Sequence, residues 1–158
     1  MLKKQNDITI VAISDIKIEE TVDSLMISNY KLKPAKTILF TSKPVSLNYK
    51  QSNSIIKIKI KPIRSLREYS KFIIYSLYKY IETSHILIVQ WDGYILNIKK
   101  WNSDFLKYDY IGAPFIPREN QKNYSKDSKG RFFSIGNGGF SLRSKSLLEA
   151  PSKYNLID

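Results

Sequence analysis

No cysteine occurs in the 158 residues, and histidine occurs once, at position 85. The first absence excludes a disulfide framework and thiolate-bound zinc, and fits a reducing compartment. The second leaves no imidazole pair for a metal and makes a Ser-His-Asp triad improbable, so His85 reads as a strand-edge residue. Acidic residues are scarce: 14 Asp and Glu stand against 26 Lys and Arg, for a net charge of +12. Between Ser24 and Arg67 there are ten basic residues and no acid. Such a field favours polyanions, whether nucleic acid, anionic lipid headgroups or phosphorylated small molecules. The plainer reading is a chain that uses lysine as its default solvent-facing residue. No apolar run approaches the length of a bilayer span. The opening MLKKQNDITIVAIS has a superficial likeness to a signal peptide, but Gln5, Asn6 and Asp7 separate its basic and apolar parts. The expected location is therefore the cytoplasm, with peripheral contact at the inner membrane face open to so basic a chain. With no internal repeat and no low-complexity linker, residues 1–158 read as a single domain.

What is present alternates strand and helix. Residues 8–14 read as a buried strand, and Ile18, Val22, Leu25 and Met26 follow at helical spacing until Pro34 closes the segment. Residues 37–42 form a second strand. In 55–60, Ile56, Ile58 and Ile60 alternate with lysines, which suits a sheet edge with one wet face. The apolar stripe from Leu66 to Ile81 predicts one long helix over 64–82. Ile86 to Val89 shows no alternation, the pattern of a strand covered on both faces. A short helical piece near Asn102–Lys107, a strand at Tyr110–Pro114, a polar loop over 115–131 and the segment FFSIGNGGFSLRS follow. Ser144 is placed to cap a last helix, Lys145–Ala150, with Pro151 ending it. This order predicts an α/β fold with a mainly parallel central sheet flanked by helices.

In such sheets ligands bind beyond the C-terminal ends of the strands. Ser14-Asp15, Thr41-Ser42 and Gln90-Trp91-Asp92 all fall at such ends and should share one edge. Asp92 could hold a divalent cation against a diphosphate, with Gln90 on the same strand face and Trp91 opposite. As an isolated Asp-Gly pair it is more simply a turn. The glycines of GNGG, 136–139, with Asn137, allow close backbone approach or a plain bend; the spacing is neither a Rossmann nor a Walker loop. Arg67 and Lys71 form a basic helix face that leads into the Asp92 strand, and a solvated face is the simpler account.

Taken in order, REYSKFIIYSLYKYIETSHILIVQWDGYILN, YDYIGAP and IGNGGFSLRSKSLLEA resemble a bacterial family of glycosyltransferase-like domains, themselves similar to GT-A-fold enzymes. The resemblance runs from about Ile8 to Ala150 and is most specific at QWDG and GNGGFSLRS. It implies a Rossmann-like domain binding a nucleotide-diphosphate sugar, for transfer to a glycan or lipid-linked acceptor. It implies donor-binding roles for Ser14, Asp15, Gln90, Trp91, Asp92, Asn137, Gly138 and Gly139, to which the basic helix face adds Lys71. Gln90-Trp91-Asp92 takes the place of the Asp-x-Asp motif, which implies a manganese or magnesium ion on Asp92, with one carboxylate of the usual pair replaced by Gln90. The family pattern also implies an acidic segment beyond residue 158 that supplies a catalytic base, so the domain is expected to be cut short at its C-terminus. Asp109 is the substitute candidate within the chain. Two other readings stay open: a catalytically silent domain that binds sugar nucleotide or a partner, and a basic nucleic-acid-binding domain using Tyr75, Tyr78 and the lysine ladder. Against the latter, no recognised nucleic-acid motif is present.

Overall fold

The structure is a computed structural model that describes residues 4–114, 129–131, 136 and 138–156. Its first half is a strand–helix alternation: β1 (Gln5–Ile13), α1 (Ile18–Leu32), β2 (Pro34–Thr41), a single turn α2 (Tyr49–Ser52), β3 (Ile56–Lys59) and α3 (Leu66–Tyr75). After β4 (His85–Ile88) come two 3₁₀ turns, Ile98–Lys100 and Ser103–Lys107. The chain then forms β5 (Tyr110–Gly112), β6 (Ser141–Ser144) and α4 (Lys145–Lys153). The strands make one sheet in the order β3-β2-β1-β4-β6-β5.

The unbroken apolar run of β4 has a direct cause. Leu87 and Val89 face one core with Ile8, Ile10 and Leu39, against Val22, Leu25 and Leu32 of α1. Ile86 and Ile88 face the other with Val11, Ile38 and Phe40, against Ile73 of α3 and Leu148 of α4. Both faces are covered, as the absence of alternation implies, and all four side chains are buried. Each such side chain contributes roughly 1.5–3 kcal/mol on burial.

Four expectations need correcting. The sheet is mixed: β3, β2, β1 and β4 run parallel, but β6 runs antiparallel to both β4 and β5. Among the described residues no α-helix lies between β4 and β5, so the helical crossover typical of parallel neighbours is missing there. The helix expected over 64–82 stops at Tyr75. Ser76, at φ −127°, leaves helical geometry, and the chain tightens into a 3₁₀ turn, Leu77–Tyr80. The stripe misleads because a 3₁₀ turn repeats every three residues and keeps the same side inward. Pro151 lies inside α4 rather than ending it. It sits in the last turns, where the carbonyl it deprives of a partner, that of Leu147, is close to the free end. On edge strand β3, Ile58 packs against the core with nearby Ile60, but Ile56 is left exposed.

Candidate functional site

From β1 the chain moves outward through β2 to β3, then returns across the sheet to place β4 on the other side of β1. The crevice between the C-terminal ends of β1 and β4 is thus a topological switch point, where open α/β sheets bind ligands. A cavity of about 390 Å³ opens there, lined by Ser14 and Asp15 after β1, Gln90 and Trp91 after β4, and Arg64 and Tyr69 at the start of α3. The N-termini of α1 and α3 lie at this edge, because each helix follows a parallel strand. Ser65 caps α3, accepting from the Glu68 N–H at 3.1 Å, and the Glu68 carboxylate takes the Arg64 N–H at 2.5 Å. Lys17, at the start of α1, adopts a left-handed φ of 46° and makes no side-chain cap. Its ammonium lies 3.3 Å from the centroid of the Trp91 ring. The cavity therefore presents an aromatic face and the Arg64 side chain, with the Lys17 ammonium over the same indole, while Glu19 and Glu20 of α1 and Glu68 of α3 offset the partly positive helix ends.

Asp15 is not free to meet a ligand. Its Oδ1 accepts from Thr41 Oγ1 at 2.9 Å and the Ser42 N–H at 2.7 Å. Its Oδ2 accepts from Ser42 Oγ at 2.8 Å and the Ile63 N–H at 2.8 Å. Burial pushes its carboxyl up, but the bonds from Ile63, Ser42 and Thr41 outweigh this and hold it below the ordinary value of 3.8. Asp15 ties the ends of β1 and β2 to the segment entering α3. Ser14 is similarly occupied: its hydroxyl donates to the Ile16 carbonyl at 2.6 Å.

Gln90 and Asp92 part company. Gln90 and Gly93 exchange backbone bonds of 3.0 and 3.1 Å, so Trp91 and Asp92 are the two central residues of a tight turn. Strand alternation ends there, and the expected shared face for Gln90 and Asp92 does not form. The Gln90 amide donates to the Tyr69 hydroxyl at 3.3 Å, on the α3 side. Asp92 lies on a second cavity of about 770 Å³ across the turn, over the α1 face of the sheet. It is exposed, and among the described residues no group donates a hydrogen bond to its carboxylate. Gly93 is needed for close approach rather than for left-handed backbone: a Cβ there would stand 3.3 Å from Phe140 Cβ.

At Gly138 a Cβ would lie 2.8 Å from Arg143 Nη2, the mobile end of a long side chain that a small shift would clear. Arg143 donates to Ser141 Oγ at 3.1 Å and rests on the Tyr110 ring, 5.2 Å from its centroid. Burial lowers the pKa of this guanidinium, partly offset by Tyr110 and Tyr69. Burial likewise raises that of the Tyr69 hydroxyl, against the bond from Gln90. Gly139 lies close to Gly93, so the glycine segment does reach the turn. Asn137 lies outside the described residues, as does most of the expected 115–131 loop.

Two candidates are elsewhere. Asp109 stands at the opposite sheet edge, beside the start of β4. Its Oδ1 accepts from Ser144 Oγ at 2.5 Å and Ser146 Oγ at 3.1 Å, bonds that hold its carboxyl below the usual range. Ser144 in turn caps α4 through the Leu147 N–H at 3.0 Å. Asp109 steadies a helix start and is remote from the crevice. Lys71 borders a separate groove with Tyr75, Tyr78 and Lys79, one that shares no lining residue with the crevice. Buried His85 bonds Ser84 Oγ at 3.0 Å and the Tyr108 carbonyl at 3.3 Å.

Arg64, Tyr69 and Lys17 were not singled out from the sequence. The signal for Arg64 was available: Ser65 followed three residues later by Glu68 marks a helix start, and helix starts in this fold lie at the ligand edge. Among the described residues no group of three or more His, Cys, Asp or Glu is placed to hold a metal, and no helix is long and apolar enough to cross a membrane. In comparison with known proteins, residues 52–156 match the model of the family described as "Protein of unknown function (DUF5672)". No curated protein matches the chain.

Proposed function

The chain belongs to the DUF5672 family, and on that premise we propose that it binds a nucleotide-diphosphate sugar and transfers the sugar to a glycan or lipid-linked acceptor. The observation that carries this reading is the crevice at the switch point, where an exposed indole, Arg64, Lys17 and two helix N-termini meet. A nucleobase stacks on the Trp91 face, displacing the Lys17 ammonium toward the phosphates. Arg64 and the displaced Lys17 neutralise the diphosphate. In the transfer step the acceptor oxygen bonds to the anomeric carbon as the carbon–oxygen bond to the diphosphate breaks. The diphosphate leaves with that electron pair, and the acceptor proton passes to a base.

A manganese or magnesium ion would find one open carboxylate at this edge, Asp92, which lies across the turn on the larger cavity; the oxygens of Asp15 are filled, and Gln90 is an amide bonded to Tyr69. With that one carboxylate, a cation at the turn would have to take its remaining oxygens from the diphosphate and water, as magnesium commonly does. When bound, such an ion would supply charge neutralisation on the leaving group.

The test is a thermal-shift screen of uridine, guanosine, thymidine and cytidine sugar nucleotides, with and without manganese. One of them should raise the melting temperature by an amount that grows with its concentration. Arg64→Ala should weaken that ligand by roughly tenfold. Stabilisation by oligonucleotides alone, lost on adding salt, would instead support the nucleic-acid reading.

A further inference from the structure

The larger cavity, about 770 Å³, lies across the Trp91-Asp92 turn from the proposed donor crevice. Its floor is the sheet itself, with Leu87, Leu142 and Ile95 buried at its base. Ile98, Trp101 and Phe105 form a wall, the two rings packed edge to face at 5.5 Å between centroids. Leu96, which also borders it, is 75% exposed. The polar side chains on it are few, chiefly Asp92, Asn97, Lys100 and Ser141. Its volume is in the range of small-molecule sites, and a largely apolar lining with a few polar groups is what such sites present. A sugar alone would leave most of this lining unsatisfied.

We infer that this cavity binds the hydrocarbon part of an amphiphilic acceptor, with a hydroxylated head held at the Asp92 turn. The inference rests on the glycosyl-transfer reading for the word acceptor, but the occupant's chemistry follows from the cavity itself. Leu87, Leu142 and Trp101 offer apolar contact for a chain, and Asp92, Asn97 and Lys100, on the same lining, offer a carboxylate acceptor, an amide and an ammonium for hydroxyl groups. Asp92 is also the residue that joins the two cavities, since Trp91 beside it lines the donor crevice.

The two tryptophans of the chain make the test clean, because Trp91 lines the smaller cavity and Trp101 the larger. In Trp91→Phe protein, Trp101 fluorescence is titrated with hexyl, heptyl and octyl glucoside below their micellar concentrations, with glucose as the head-only control. Affinity should rise roughly threefold to fourfold per methylene, as for a buried chain, and glucose should give no response. Ala113→Trp, Trp91→Phe protein blocks the cavity from an exposed position and would add a second reporter, so its ligand response is read by melting temperature. Leu96→Glu, at an exposed site, is a second block and is read by fluorescence. Both should lose the octyl glucoside response by tenfold or more while melting near the parent temperature. Equal response to glucose and octyl glucoside, no dependence on chain length, or full binding in both blocked variants would overturn the inference. Trp101→Phe protein, titrated with sugar nucleotides, reports the other cavity. Chain-length-dependent binding without any Trp91 response would uphold the hydrocarbon site and reject glycosyl transfer. A Trp91 response without alkyl glucoside binding would do the reverse.

Discussion

Two aspartates follow strands at the same edge of the sheet and live in opposite surroundings. Asp15, after β1, accepts four hydrogen bonds, two of them from backbone N–H groups. Asp92, after β4, is exposed on a tight turn between two cavities. A carboxylate whose lone pairs are filled by the protein holds the scaffold; one left open to a cavity can meet a ligand. The difference teaches that position at the ligand edge does not by itself assign a role, and that the hydrogen-bond partners must be counted.

The comparison can be broken by mutation. Asp15→Asn should have the largest effect on folding, because an amide cannot accept from all four donors. A loss of about 2–3 kcal/mol is expected, read as a lower urea midpoint at unchanged slope. The pH dependence sharpens the point. Since the folded state holds the Asp15 carboxyl below its ordinary 3.8, its contribution is fully present above that value and lost as pH falls through the lower, folded one. Acid titrations of stability should therefore be flatter in Asp15→Asn than in the parent at low pH. Gly93→Ala should come next, at about 1 kcal/mol, because Phe140 has to give way by a few tenths of an ångström. Asp92→Asn should be the mildest for folding, within about 0.5 kcal/mol. It should instead weaken sugar-nucleotide binding in the presence of manganese, with a much smaller change in its absence, as measured by calorimetric titration. A substantial drop in melting temperature with donor affinity intact would make Asp92 a structural turn residue like any other, and the contrast with Asp15 would disappear.

Much of the sheet was legible from local pattern. The run Ile86–Val89 announced a strand covered on both sides, and helix spacing after β1 announced α1. What local pattern does not carry is long-range pairing. The partners of Asp15 lie 26 to 48 residues away, so no spacing rule could show that its carboxylate is already filled. Gln90 and Asp92 read as neighbours on one face only as long as the strand is assumed to continue. The backbone bonds between Gln90 and Gly93 end it one residue too soon. The reversed direction of β6 is likewise a matter of its pairing with β4 and β5, which the pattern of Ser141–Ser144 does not carry. Asp109 looked like a spare acid for the same reason: its bonds to Ser144 and Ser146 are 35 and 37 residues away.

The central claim is spatial, that the crevice between β1 and β4 receives the sugar nucleotide. Hydrogen–deuterium exchange with and without the best-stabilising sugar nucleotide tests it most directly. Protection is expected at 14–18, 63–69 and 89–93, with no change along the Lys71–Lys79 groove or around Asp109 and Ser144. Protection confined to that groove, or to the Asp109 edge, would contradict the account.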